Sequence, residues 1–441
     1  MTQNKNSQGK LVAIITMFFL FAMVGFVTNL AAPIGGVWKN YPEIGNSNSL
    51  GMLGNMMNFL AYLVFGMQAG KILTKKGYKA TALIAIAVGF FGILIQFLSG
   101  SIGVGATFAG LPSNFFVYLL GAFVSGVSVC MLNTVVNPML NLLGGSGNKG
   151  NQLVQTGGAL NSLAATLSPM IVGALIGSSV TSINAVYPVL YIAMTIFACA
   201  FIALSFIPIS EPNSNKGVDT SKFKHSPWNF RHFVLGAIAI GIYVGIEIGI
   251  PGTLFFYLSD TTTKGAGLDP ATAAAVAGSV AGTYWFLMLI GRFIGSAIGG
   301  KVSSKTMLTF ASIVAAILVF ASVFIPSSTT TVMPVFKGDG FGLVGVPLSA
   351  LLLVLCGLCT SIMWGGIFNL AVEGLGKYTA MGSGIFMMMV VGGGIFPLFQ
   401  NYIADISGYM TSYWVIFALL LFLVFYALRG CKNVNTDIPV E

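Results

Sequence analysis

Residues 69–75 read Ala69-Gly70-Lys71-Ile72-Leu73-Thr74-Lys75, and residues 299–305 read Gly299-Gly300-Lys301-Val302-Ser303-Ser304-Lys305. Each stretch is a small, basic loop that follows the second apolar run in a set of six. Recurrence at the same place in each half is the mark of a parallel repeat, two bundles of like topology with a site between them near mid-membrane. Around the two loops, twelve apolar runs are legible: 11–33, 50–70, 80–101, 114–138, 153–177, 186–207, 232–258, 271–297, 306–325, 343–366, 380–402 and 411–428. Each is long enough to cross a hydrocarbon core of about 30 Å. A composition break at 208–231, where Pro, Asn, Ser and Lys replace apolar residues, divides the runs six and six. The expected fold is an all-α integral membrane protein of 12 transmembrane helices. Residues 1–207 form one six-helix bundle, 208–231 a cytoplasmic inter-bundle loop, and 232–441 the second bundle and tail.

Composition agrees. The 441 residues are 56% hydrophobic and 7% charged, with 56 glycines and 11 acids, and the mean hydropathy is +0.90. Soluble domains carry about 25% charge, so a water-facing fold is excluded. Continuous rather than alternating apolar runs argue against a β-barrel. The first run follows Lys5 and Lys10 but is too long for a signal-peptide core, so it is read as a retained span. With both termini cytoplasmic, the inside segments hold 17 of the 20 basic residues, leaving Lys39, Lys264 and Lys337 outside. The positive-inside rule fixes this orientation in a cell's inner (plasma) membrane. It also accounts for the net charge of +9 without a nucleic-acid partner. Membrane lipid and a small molecule are the expected partners of a monomer.

Enzymatic chemistry finds little footing. The two histidines, His225 and His232, fall in the longest polar segment, and the five cysteines mostly sit within apolar runs. Cys356 and Cys359 form a CxxC without a second Cys/His pair, so free thiols are expected, with no metal and no cofactor. Gly241, Gly245 and Gly249 form a GxxxGxxxG stripe suited to close helix packing. A nucleotide-binding glycine loop would need a strand before it and a helix after it, in water. Transport remains as the leading class.

The polar residues inside the spans carry the candidate chemistry, because an unpaired polar group in hydrocarbon costs several kcal/mol, roughly. Eight of the 11 acids lie in loops or tails, and Glu373 and Asp405 lie near span ends. Glu247 alone is deep within a span, which makes it a functional candidate by default. It stands about 200° around the helix from Gly245, with Tyr243 one turn before it on the same face. Pro251 has no N–H to give the Glu247 carbonyl. A carboxylate, a phenol and a free carbonyl thus converge on a ligand or a coupling ion, a proton or sodium.

Neutral groups repeat the pattern. Pro33 frees the Asn29 carbonyl, and Pro138 frees that of Thr134 beside Asn133 and Asn137. Gln155 and Asn161 are in span five, Trp285 in span eight, and Trp364 and Asn369 in or just beyond span ten. Amides pair with hydroxyls and ring faces take a sugar's C–H face, so the set suits a neutral polyhydroxylated ligand. An interfacial Trp also serves as an anchor, the competing reading for Trp285 and Trp364. Membrane-embedded bases are as scarce as acids, with Arg292 at the inner end of span eight, and that scarcity disfavours tight capture of an anionic substrate.

These residues resemble the fucose–galactose–glucose:proton symporter branch of the major facilitator superfamily from about 11 to 429. Phe18-Phe19-Leu20-Phe21-Ala22 with Pro33 resembles its first span. Asn133-Thr134-Val135-Val136-Asn137-Pro138 follows its E-T-x-x-N-P pattern except at the first position. Tyr243-Val244-Gly245-Ile246-Glu247 is similar to Y-V-G-A-E, and Gly291-Arg292-Phe293-Ile294-Gly295 to G-R-F-x-G. Gly374-Leu375-Gly376-Lys377, Gly382-Ser383, Gly392-Gly393-Gly394 and Pro397 follow spans ten and eleven. The resemblance implies sugar transport by alternating access. Family members carry an Asp in span one and a Glu opening the span-four motif, where this chain has Asn29 and Asn133. The family glutamine of span five stands three residues before the asparagine, whereas Gln155 and Asn161 are six apart. The readings left open are cation-coupled import through Glu247, uncoupled sugar uniport, and export of small lipophilic molecules. A sugar sensor would call for an appended soluble domain.

Overall fold

The computed structural model describes residues 2–144, 149–176, 182–207, 225–299, 301–435 and 437–440. Helix α1 (Thr2–Thr28) and helix α2 (Ala31–Lys39) make the first span, broken at Asn29 and Leu30. The break sits where Pro33 cannot donate to the Asn29 carbonyl. Helix α3 (Asn48–Leu98) has 51 residues, about 76 Å at the usual rise and more than two hydrocarbon cores. It kinks at Gly77, whose φ of 81° lies in the left-handed region that glycine enters without a Cβ penalty. The basic loop at 71–79 is therefore helical up to a glycine hinge, while the equivalent stretch at 299–305 is a short turn capped by Ser303. Gly300 lies outside the described residues.

A two-residue hairpin, β1 (Thr107–Phe108) and β2 (Leu111–Pro112), precedes α4 (Ser113–Gly144). Helices α5 (Lys149–Leu175) and α6 (Tyr187–Phe206) complete the first half. Most of the inter-bundle loop, 208–224, lies outside the described residues. From there follow α7 (Arg231–Ser259), α8 (Ala273–Ile298) and α9 (Ser304–Phe324). Strands β3 (Thr330–Phe336) and β4 (Phe341–Pro347) pair antiparallel in full register from Thr330↔Pro347 to Phe336↔Phe341.

Within a mostly helical fold, this hairpin corrects the start of the apolar run at 343–366. The segment Phe341-Gly342-Leu343-Val344-Gly345-Val346-Pro347 is apolar enough to be read as membrane, but its phenylalanine and valines favour strand and its glycines disfavour helix. The tenth span instead runs through α10 (Leu348–Thr360) and α11 (Met363–Val372). It breaks where the hydroxyls of Thr360 and Ser361 bond to the Cys356 and Leu358 carbonyls, contacts that loosen a helix. Helices α12 (Thr379–Met389) and α13 (Gly392–Ser407) form the eleventh span, and α14 (Tyr409–Phe425) leads into a π turn at Tyr426–Gly430.

Among the described residues, eleven helices are long and apolar enough to cross a membrane, and α3 is long enough to cross twice. Helix α3 lies on α4 and α6, α1 lies on α4 and α5, and α7 packs with α8, α11, α13 and α14. The halves meet along α5–α8, α3–α13 and α2–α7. The glycine stripe of α7 takes α12 and α13 at close range. A Cβ at Gly245 would stand 2.6 Å from the Phe396 ring, so the side chain of Glu247 is turned away from this seam.

Candidate functional site

From Ala239 to Leu258 every residue of α7 is buried except Glu247, which stays partly accessible. A polar side chain left accessible within an otherwise sealed stretch faces a space rather than a neighbour. Tyr243, one turn earlier, is buried with its ring edge-on to Trp364 of α11 at 6.1 Å. Its hydroxyl is close enough to Glu247 for the two to interact, but no ordinary hydrogen bond closes. Arg292 and Tyr284 of α8 also lie within electrostatic reach of Glu247. Arg292 crosses between the halves, its Nη1 donating to the Gly158 carbonyl of α5 at 2.6 Å. Tyr284 is tied to Thr360 of α10 at 2.9 Å, and Trp285 packs edge-on against Tyr284, 5.4 Å between centroids, 6% exposed.

Across the interface, the amides are held by their own bundle. Asn133 Nδ2 donates to Tyr62 Oη at 2.6 Å, linking α4 to α3. Asn137 Nδ2 donates to the Asn133 carbonyl at 3.2 Å. Asn161 Nδ2 bonds to the Phe21 carbonyl at 2.9 Å and ties α5 to α1. Asn29 Nδ2 turns back to the Gly25 carbonyl at 2.9 Å, at the break in the first span. Glu247, Tyr243 and Trp364 are thus brought together. Gln155 is exposed. Asn369 is exposed too, its Nδ2 3.4 Å from Ser304 Oγ at the far end of α11, away from the Tyr243–Trp364 contact. Sequence reading passed over Tyr62 and Tyr284, and saw Arg292 only as a span end. Tyr62 bears no local signal, since an aromatic in an apolar run reads as core.

The profile of the Major Facilitator Superfamily matches residues 13–396. The chain belongs to the Major Facilitator Superfamily. A glucose/galactose transporter of Brucella abortus biovar 1 is 30% identical over 98% of this chain and 97% of its own. The L-fucose-proton symporter of Escherichia coli K12 is 22% identical over 96% of this chain and 93% of its own. In structure, the crystallised Escherichia coli fucose:proton symporter superposes with a TM-score of 0.66, covering 97% of this chain and 100% of that one at 18% identity. The membership makes this chain a multi-pass membrane transporter, not an enzyme.

On the face that the basic-residue bias assigns to the outside, charged contacts join the two halves of this facilitator-superfamily chain. Lys39, expected in an outer loop, is the last residue of α2 and is buried, with its Nζ 3.3 Å from Asp260 at the end of α7. Tyr409 of α14 joins them, donating to Asp260 at 2.7 Å or to Asn48 Oδ1 at 2.9 Å. Burial raises the Asp260 carboxyl, but Lys39 and the hydrogen bonds from Thr262 and Tyr409 outweigh it and hold it below its ordinary value. Nearby, Asp405 of α13 accepts from the Asn48 and Ser49 amides at 2.6 and 3.0 Å, and from both the Ser47 and Ser49 hydroxyls. One bundle thereby caps the helix N-terminus of the other, where a negative charge is favoured.

Proposed function

We propose that this chain imports a neutral monosaccharide of the glucose, galactose or fucose kind by alternating access, coupled to a proton or sodium ion through Glu247. The observation that carries this reading is the partial accessibility of Glu247 within the otherwise buried stretch 239–258 of α7. A carboxylate kept open there is costly unless a ligand or ion uses it. The sugar specificities in the names of the relatives support the substrate class. In this reading Asn133 and Asn137 present amides to sugar hydroxyls, Tyr243 and Trp364 present ring surface, and Asn29, Asn161 and Trp285 hold the surrounding helices. Residues 1–207 and 232–441 rock as two bodies about the centre, and the Lys39–Asp260 and Asp405 contacts close the outside.

The amides at Asn29 and Asn133 favour a second reading, uncoupled uniport, since an amide does not exchange a proton near neutral pH. Proteoliposomes loaded with unlabelled glucose, galactose or fucose, then given labelled sugar under separate proton and sodium gradients, test both. Accumulation that follows one gradient is the expected result. Counterflow without any gradient response selects uniport, and neither counterflow nor accumulation of any of the three sugars overturns the sugar reading.

A further inference from the structure

A second polar site lies apart from Glu247. A cavity of about 950 Å³ opens on the face assigned to the cytoplasm, lined by Ser304, Lys305, Asn369, Glu373, Arg429 and Lys432 among others. Its walls come from three separate elements: the start of α9, the end of α11, and the turn and tail that follow α14. Three cations meet one carboxylate there. Among the described residues none of the three cations enters an ion pair, the one such pair being Lys39–Asp260.

Like charges that outnumber their counter-charge repel one another, so a structure that keeps three cations beside one carboxylate leaves a position for an anion. Further donors point the same way. Ser304 opens a 21-residue helix, whose N-terminal end favours negative charge. The Asn369 amide and the Ser304 hydroxyl are neighbours at 3.4 Å. The wall at Glu373 is braced from α7, where His232 Nε2 lies 2.9 Å from the Glu373 carbonyl.

We infer that this cavity binds a phosphomonoester dianion. The excess of two positive charges matches its two negative charges, and Arg429 offers the planar fork that phosphate oxygens accept. The volume is that of a small-ligand pocket, roughly 300–1,000 Å³. Such a group reaches this face either on a soluble phosphorylated molecule or on the headgroup of a phosphatidic-acid lipid.

Cys431 lines the same cavity and is half-buried, so its thiol reports occupancy without a transport assay. Full-length protein in phosphatidylcholine nanodiscs is treated with a maleimide, and modification of Cys431 is read by peptide mass spectrometry. Inorganic phosphate or glucose 6-phosphate is added in one arm, and phosphatidic acid is included in the disc in the other. The site predicts at least tenfold slower labelling in one arm. Slowing by the soluble probes identifies a soluble ligand, and slowing only by phosphatidic acid identifies a lipid headgroup. Arg429→Gln and Lys305→Gln, separately, are expected to weaken protection at least tenfold, and Glu373→Gln to strengthen it several-fold. Equal labelling with and without every probe overturns the inference. So does protection that persists unchanged in Arg429→Gln, Lys305→Gln and Glu373→Gln, each compared at its own unprotected labelling rate.

Discussion

The Lys39 ammonium and the Asp260 carboxylate stand 3.3 Å apart although 221 residues separate them, one in each half of the molecule. Their side chains are 7% and 8% exposed, so neither charge has water to fall back on. Removing one partner from such a pair costs about 3–5 kcal/mol, because the other charge is left buried alone. Lys39→Met and Asp260→Asn should each lower the thermal unfolding temperature of the purified protein. The double variant should lose clearly less than the two single losses added together. Strict additivity would mean that the two side chains do not act as a pair.

A pH dependence follows from the lowered Asp260 carboxyl. A depressed acid contributes its stabilisation fully above the ordinary Asp value of about 3.9 and loses it as pH falls through the folded value. The stability gap between wild type and Asp260→Asn should therefore stay constant from about pH 8 to about pH 5, and shrink only in stronger acid. A gap that closes between neutral pH and about pH 5 would refute this assignment.

This pair also marks what the sequence could and could not reveal. The apolar runs and the duplicated basic loop exposed the two-bundle architecture, because a bilayer demands long hydrophobic helices whatever their partners. Glu247 stood out for the same reason, being the one acid deep in a span. Lys39 gave no such signal. It lies past the first apolar run in what reads as an outer loop, and only the fold brings Asp260 and Tyr409 to it. The β3–β4 hairpin was hidden because hydropathy weighs composition and not backbone geometry. Gln155 and Asn369 were named for their chemistry, and their exposure was not legible because the side a helix turns outward is set by tertiary packing.

Tyr62 was missed in that way, and its contact makes a distinct prediction. Tyr62→Phe deletes the acceptor that holds Asn133 Nδ2 at 2.6 Å. A hydrogen bond of this kind contributes about 0.5–1.5 kcal/mol net, so half-saturation for sugar counterflow should rise roughly 2- to 12-fold. The maximal rate should change little if Tyr62 acts by positioning Asn133. Gln155→Ala, at an exposed position, should leave both parameters within about twofold, the ordinary effect of a surface change. Identical kinetics for Tyr62→Phe and wild type would reduce Tyr62 to a space-filling role.

Glu247→Gln separates coupling from binding. Glutamine keeps the size and hydrogen-bonding reach of the side chain but can neither titrate nor carry charge. Under the coupled reading, gradient-driven accumulation should collapse to equilibration, while counterflow persists within about tenfold of wild type, the cost of one altered polar contact. Arg292 sharpens the interpretation, because its guanidinium is anchored on the Gly158 carbonyl of the opposite half yet lies within electrostatic reach of Glu247. If Glu247 takes up a cation during the cycle, the field of Arg292 opposes that step, so Arg292→Gln should ease cation uptake and shift coupling to a lower driving-ion concentration. Should Glu247→Gln still accumulate sugar against its gradient, Glu247 is not the coupling group, and the partly open carboxylate on α7 serves the sugar alone.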